Sequence, residues 1–212
     1  MLALPSRPGK IVCVGRNYAA HARELGNEVP TQPLLFFKPS TALIGDGEPI
    51  VLPAASSRVE HEAEIAVVVG RRLRRATPGE ARLAVAGITC ANDVTARDLQ
   101  KTDGQWARAK GFDTFCPVGP RVLEVDASFD LTSLEVIGRV NGAVRQHGRS
   151  RDMIFMVPDL LAYISLAMTL EPGDLVLTGT PEGVGPLSPG DVVEVEIPGV
   201  GVLRNPVEAE RV

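Results

Sequence analysis

The sequence predicts a single α+β domain dominated by strands, and three observations carry that expectation. The 212 residues include 21 Gly and 17 Pro against one Trp, two Tyr and six Phe, a composition of many tight turns and few large rings. The apolar runs are short, rich in Val and Ile, and end at Gly, Pro or Asn. Only one stretch, 152–170, is apolar over enough residues for a long helix.

Taken in order, Ile11-Val12-Cys13-Val14 reads as a buried strand ending at Gly15, and 17–25 as a short helix stopped by Gly26. A strand over 34–37 closes at Lys38-Pro39-Ser40. The clearest strand covers 60–70, through Ile65-Ala66-Val67-Val68-Val69. Thr77-Pro78-Gly79-Glu80 opens a short helix to about residue 85, with Thr77 as its cap. A strand over 87–94 then leads into a helix over 95–101. Asn141-Gly142 between 134–141 and 143–147 is a hairpin turn signal. In the helix over 152–170, Pro158 marks either a kink or a fresh start. A strand over 175–178 runs into Gly179-Thr180-Pro181-Glu182-Gly183-Val184-Gly185. The strands 192–197 and 202–205 close the chain around Pro198-Gly199. No repeat or linker interrupts this order, so the expectation is one domain over 1–212 with a short lead-in over 1–10.

The net charge of −4 argues against a nucleic-acid binder that works by neutralising phosphates. Arg71-Arg72-Leu73-Arg74-Arg75 reads as a solvated loop, or as a contact for an anionic partner. Cys13, Cys90 and Cys116 are too few and too scattered for a disulfide framework or a zinc site, which fits a reducing compartment. No secretory signal is visible, and the 153–170 stretch holds Pro158 and Asp159, so it reads as a buried helix rather than a membrane span. The expectation is a soluble cytoplasmic protein with no nucleic-acid or membrane partner.

Glu60, Glu62 and Glu64 alternate along a strand and so share one face, about 6.5–7 Å apart along it. Like charges leading into an apolar run need a cation, and a hard divalent ion is one answer; a solvated strand end is the other. Asp93, before a helix, reads either as a further ligand or as a cap. His21 and Glu24 are spaced so that a carboxylate can orient an imidazole as a general base, or are simply two surface residues. By parity His61 faces away from its glutamate neighbours, and His147 reads as an exposed turn residue. Lys110, one of only four lysines, follows a Gly-containing loop with the sole Trp, Trp106; that is the pattern of a mobile lid or of an ordinary surface loop. The 179–185 stretch lacks the Gly-Lys-Ser/Thr of a phosphate loop and reads as a structural turn or a site of backbone donors.

Together these segments resemble the fumarylacetoacetate hydrolase family, in its single-domain acylpyruvase or oxaloacetate decarboxylase-like branch. The matching segments are Gly15-Arg16-Asn17-Tyr18 with His21 and Glu24, Phe37-Lys38-Pro39-Ser40, and His61-Glu62-Ala63-Glu64. They continue with Asn92-Asp93-Val94-Thr95-Ala96-Arg97-Asp98, Lys110-Gly111-Phe112-Asp113 and the run from Leu177 through Gly185. The resemblance implies a mixed β-roll, of the family's C-terminal-domain type, in a homodimer. It implies Glu62, Glu64 and Asp93 as ligands of Mg²⁺ or Mn²⁺, with Ca²⁺ as a further candidate. His21 and Glu24 become a water-activating dyad on a segment that orders with substrate, Lys110 an active-site lysine, and Gln100, Gly179 and Thr180 substrate contacts. Glu60 receives no role, and Arg97 with Asp98 is expected as a structural ion pair. The chain is expected to start directly at the catalytic domain, with a short lid over 100–106.

The implied activity is a metal-dependent hydrolase or decarboxylase that cleaves a C–C bond of a small β-diketo or 2-oxo acid, an acylpyruvate or oxaloacetate, through a metal-bound enolate. The alternative is a 2-hydroxyhepta-2,4-diene-1,7-dioate isomerase or decarboxylase of aromatic catabolism. A third reading is a metal-dependent small-acid binding protein without turnover.

Overall fold

Apolar β-branched runs joined by Gly and Pro turns leave few long elements, and the computed structural model, which describes residues 7–211, follows that logic. Its elements are β1 (Ile11–Gly15), α1 (Ala19–Glu24), β2 (Leu34–Lys38), β3 (Leu43–Ile44), β4 (Ile50–Leu52), β5 (Val59–His61), β6 (Ala63–Val69), α2 (Pro78–Arg82), β7 (Val85–Asn92) and β8 (Thr95–Ala96). They continue with α3 (Arg97–Thr102), α4 (Ala107–Gly111), β9 (Cys116–Glu124), β10 (Glu135–Val140), β11 (Ala143–Arg149), α5 (Val157–Ala167), β12 (Leu175–Leu177), β13 (Gly185–Pro186), β14 (Val192–Ile197) and β15 (Gly201–Ala209). Of the lead-in expected over 1–10, residues 1–6 lie outside the described part, and 7–10 hold no regular element.

Seven strands form one sheet in the order β2-β1-β12-β6-β7-β9-β3. A second sheet runs β11-β10-β14-β15-β4, and a small third one β13-β5-β8. The centre of the large sheet is buried on both faces, which is why β6 reads as an unbroken apolar run, while the edge strand β2 is partly exposed. Ala63, Ile65, Val67 and Val69 enter the core shared with α5 and the five-stranded sheet. Ala66 and Val68 face the other way, onto Ile11, Cys13, Ala91, Cys116 and Leu177. Glu64 shares their parity, so the same strand that builds this second core carries a carboxylate at its end. The three cysteines are free and buried, and burial pushes the Cys90 and Cys116 thiols up to about 12, which makes them inert.

Local chemistry explains several boundaries. Thr77 caps α2 in a reciprocal box: its Oγ1 accepts from Glu80 N–H at 3.3 Å, and Glu80 Oε2 accepts from Thr77 N–H at 2.8 Å. Asn141 and Gly142 take φ of 53° and 77°, the pair of positive values a two-residue hairpin turn between β10 and β11 requires. Pro158 sits in the first turn of α5, where a missing N–H costs nothing, so it marks a fresh start. The arginine run is solvent-exposed around a buried Leu73, whose backbone bridges to Leu170. No helix among the described residues is long and apolar enough to cross a membrane.

Four expectations are corrected. The strand over 60–70 is two strands, because the chain changes sheets at Glu62: β5 pairs with β8 and β13, and β6 with β7 and β12. The helix expected from residue 95 starts at Arg97, since Thr95 and Ala96 are used as the partner of β5. The helix expected over 152–170 is confined to α5, preceded by a single 3-10 turn at Ser150–Asp152. Lys110 sits on no loop: it lies in α4 and is 2% exposed. One long strand, β9, carries Pro117, Gly119 and Pro120 and therefore reads in sequence as a series of turns.

Candidate active site

The register Ala63↔Asn92 between β6 and β7 sets Glu62 beside Asp93 at the end of the ladder. Two further bonds close that corner: Asp93 N–H donates to the Glu62 carbonyl, and Glu62 N–H donates to Asn92 Oδ1, both at 2.9 Å. One carboxylate oxygen from each of Glu62, Glu64 and Asp93 then lies within 4.8 Å of the others, and all three side chains are buried.

Three buried carboxylates repel one another, and the chain supplies cations unevenly. Lys110 Nζ lies 2.9 Å from Glu62 Oε2 and 2.6 Å from Asp93 Oδ2, and Arg97 Nη2 lies 2.6 Å from Glu62 Oε1. Burial pushes the Glu62 carboxyl up, but Lys110 and Arg97 outweigh it and hold the group well below the usual carboxylate range. Glu64 is pushed well above that range, first by burial and then by the charges of Asp93 and Glu62. Its offset is the Gly179 N–H, which donates to Oε2 at 2.7 Å.

Lys38, which the sequence reading left without a role, completes the cluster. Its three protons go to the carbonyls of Val94, Lys110 and Phe115 at 2.9, 2.7 and 2.7 Å. With its donors used, its 2.8 Å approach to Asp93 Oδ1 is a contact of charges, and that oxygen has no hydrogen bond. Three convergent hard oxygen ligands, one of them without a donor and one short of a cation, fit a divalent ion.

His21 and Glu24 share a face of α1, with Nδ1 3.3 Å from Glu24 Oε2. The other oxygen of Glu24 accepts from Gly183 N–H at 3.0 Å. Glu24 thus faces Nδ1 and leaves Nε2 as the ring nitrogen free for proton transfer. His21, Glu24, Glu62, Gln100 and Lys110 all line one cavity of about 460 Å³.

Gly179 and Thr180 are placed differently. Gly179 offers its N–H to Glu64, and the Thr180 hydroxyl donates to the Ala63 carbonyl at 2.9 Å while accepting from Gln146 Nε2 at 2.7 Å. The 179–185 stretch is thus a set of backbone donors, with two of them aimed at the chain's own Glu64 and Glu24. Gln146 is a second residue the sequence reading missed. Its Oε1 accepts from Ala63 N–H and faces His61 Nδ1, and its Nε2 also reaches the Pro181 carbonyl, so all four of its hydrogen-bonding positions hold the strand and the loop together. His61 turns to Gln146 and away from the cavity that Glu60 and Glu62 line, whereas His147 is exposed but lies within β11 and not in a turn.

The expected Arg97–Asp98 ion pair is absent, because successive residues of a helix point about 100° apart. Arg97 instead bridges Glu60 at 2.7 Å, Glu62 at 2.6 Å and Gln100 at 2.6 Å. Asp98 accepts from Ser56, Ser57 and the Leu99 N–H. Glu60 therefore does have a function in the fold: it anchors the arginine that anchors Glu62.

The fold is an α+β roll whose acidic cluster reaches a polar cavity through Glu62, and comparison with known proteins gives the family. The model of the fumarylacetoacetate hydrolase C-terminal domain matches residues 10–208, and the chain belongs to that family. An uncharacterised protein of Methanocaldococcus jannaschii is 48% identical over 96% of this chain and 85% of its own length. A mitochondrial oxaloacetate tautomerase of Homo sapiens is 42% identical over 97% of this chain and 68% of its own. Among solved structures, a 5-carboxymethyl-2-hydroxymuconate delta-isomerase of Mycobacterium smegmatis superposes with a TM-score of 0.90 at 45% identity, over 100% of this chain and 83% of that one. A 2-hydroxyhepta-2,4-diene-1,7-dioate isomerase of Mycobacterium marinum gives 0.88 at 47% identity, over 99% and 78%.

Proposed function

We propose that this chain is a divalent-metal-dependent enzyme that works through the enolate of a small 2-oxo or β-diketo acid and cleaves the C–C bond beyond C3, with an acylpyruvate or oxaloacetate as substrate. The observation that carries the reading is one cavity lined by Lys110, the His21–Glu24 pair and Glu62, whose carboxylate converges with those of the buried Glu64 and Asp93. Glu62, Glu64 and Asp93 hold Mg²⁺ or Mn²⁺, which when bound polarises the 2-oxo acid and orients it.

The chain's own groups then divide the work. Arg97 fixes Glu62, and Lys38 with Lys110 fixes Asp93, so the ligand oxygens are set before substrate arrives. The Lys110 ammonium faces the charge that develops on the enolate side. For an acylpyruvate, His21 Nε2 takes a proton from water, Glu24 steadies the imidazolium, and the hydroxide adds to the distal carbonyl. The C3–C4 bond then breaks, the electron pair remains on the pyruvate enolate, and a proton returned to C3 gives pyruvate and a carboxylic acid. For oxaloacetate, loss of CO₂ leaves the same enolate without an attacking water. Gln100, bonded to Arg97 in the cavity wall, contacts the substrate; Gly179 and Thr180, which do not line that cavity, act on it through the Glu64 carboxylate and the Ala63 carbonyl that they hold.

A second reading is favoured by the relatives, which are named as a tautomerase and as isomerases. Keto–enol or double-bond migration needs the same enolate stabilisation, with a proton taken from one atom and returned to another, and no C–C bond broken. A panel of acetylpyruvate, oxaloacetate and 2-hydroxyhepta-2,4-diene-1,7-dioate, each with Mg²⁺, Mn²⁺ or chelator, separates the two. Metal-dependent pyruvate release supports cleavage; ultraviolet changes without pyruvate support isomerisation; silence across the panel removes both.

A further inference from the structure

The cavity wall carries five cationic side chains, Arg16, Arg58, Arg97, Lys101 and Lys110, against the carboxylates of Glu24, Glu60 and Glu62. Three of the cations are committed within the protein. Arg97 bridges Glu60 and Glu62, Lys110 bridges Glu62 and Asp93, and Arg58 lies 2.6 Å from Glu60. Arg16 and Lys101 pair with no carboxylate among the described residues. They differ in how they are held: Lys101 is exposed on α3, whereas Arg16 is half-buried with its guanidinium against Trp106.

Arg16 adopts φ of 57°, a left-handed conformation that a residue with a Cβ rarely takes. Both neighbours are closely packed. Gly15 lies so close beneath Trp106 that a Cβ there would sit 3.0 Å from the ring. Asn17 is fully buried, with its amide donating to the carbonyls of Phe155 and Thr178 and its Oδ1 accepting from Phe155 N–H. Backbone strain kept in place by such anchors, at a cavity wall, is a mark of function. The Arg16 guanidinium lies 5.8 Å from the centroid of Trp106, which itself packs edge-on against Phe36 at 5.3 Å. Contact with the ring steadies a guanidinium while leaving its N–H edge available, and a planar fork of N–H donors matches a carboxylate.

Resting on the reading above, in which the 2-oxo acid end lies at the carboxylate cluster, we propose that Arg16, steadied by Trp106, determines specificity at the opposite end of the substrate by binding a second carboxylate. The enzyme then favours 2-oxo dicarboxylates over monocarboxylates of equal length.

The test is calorimetry on the Mg²⁺-loaded protein with oxalate, 2-oxoglutarate and 2-oxopentanoate. The last two are five-carbon acids that differ by the terminal carboxylate. The unchanged protein is expected to favour the dicarboxylate by about tenfold or more, the worth of one charge-assisted pair. Arg16→Gln brings that preference below about twofold and leaves oxalate affinity and thermal midpoint unchanged, and Arg16→Lys retains part of it. A preference that survives Arg16→Gln, or its absence in the unchanged protein, overturns the assignment while oxalate binding still supports the metal site. An Arg16→Gln variant that loses oxalate in equal measure also overturns it. If oxalate fails to bind the unchanged protein, the reading of the site itself falls, and this inference with it.

Discussion

The N–H of Gly183 donates to Oε1 of Glu24 at 3.0 Å, joining residues 159 positions apart in sequence. Gly183 has φ of 96°, and a Cβ there would lie 2.0 Å from the Arg145 carbonyl oxygen. The glycine is therefore required twice, once by its backbone and once by space. Gly183→Ala is expected to destabilise by at least about 2 kcal/mol in urea titrations. Gly190→Ala, with φ of 93° and nothing within 4 Å, costs only the backbone part, about 1 kcal/mol. Equal costs at the two positions would show that the loop yields, and that the Glu24 contact is loose.

Glu62 touches both Lys110 and Arg97, so removing its carboxylate also leaves each of these buried cations with one carboxylate partner, Asp93 and Glu60 respectively. Glu62→Ala is expected to lower Mn²⁺ affinity by more than about 100-fold, read by the paramagnetic signal of free Mn²⁺. Unchanged Mn²⁺ binding would remove Glu62 from the ligand set.

His21→Ala is expected to slow acylpyruvate hydrolysis by about 10²- to 10⁴-fold, the usual worth of a general base. Oxaloacetate decarboxylation, which needs no attacking water, is expected to change much less. Parallel loss of both activities would contradict the division of labour between the dyad and the carboxylate cluster.

Lys38 offers a test of stability with no substrate involved. Lys38→Met leaves three buried carbonyls without the ammonium that donates to them and Asp93 Oδ1 without its cation, Lys110 remaining at Oδ2. The expected cost is about 3–5 kcal/mol, measured by denaturant unfolding. A cost below about 1 kcal/mol would mean that water replaces the ammonium.

Asp98 supplies a pH dependence. Its slight burial pushes the carboxyl up, but hydrogen bonds from Ser56, Ser57 and the Leu99 N–H win and hold it at about 2. The folded value lies below the unfolded one of about 3.9, so the group stabilises fully above that pH and loses its contribution as pH falls toward 2. Asp98→Asn is expected to flatten the loss of stability between pH 4 and pH 2, in urea midpoints taken across that window. An identical slope in both proteins would deny Asp98 this part.

Much of this architecture was legible in the residues. β1, β6, the Asn141-Gly142 hairpin and the Thr77 cap depend on local periodicity and turn chemistry, which a window of ten residues contains. The pairing of Glu62 with Asp93 followed from the resemblance, and the register of β6 on β7 is its physical basis. Other features had no local signal. Lys38 works through the carbonyls of Val94, Lys110 and Phe115, groups every residue possesses, so nothing in their identities announces it. Gln146 lies on an exposed hairpin whose neighbours are polar, and its burial depends on β5, β6 and the 179–185 stretch closing over it. β9 was hidden by its prolines.

The stretch from Gly179 to Gly183 ties Glu64 at one end and Glu24 at the other. It is thus a gauge between the two halves of the chemistry: its length in residues sets how far the imidazole stands from the acidic cluster. One residue of extended chain adds at most about 3.5 Å, more than a whole hydrogen bond. Side chains along this stretch are free to vary in so far as they respect its contacts, whereas its residue count is not.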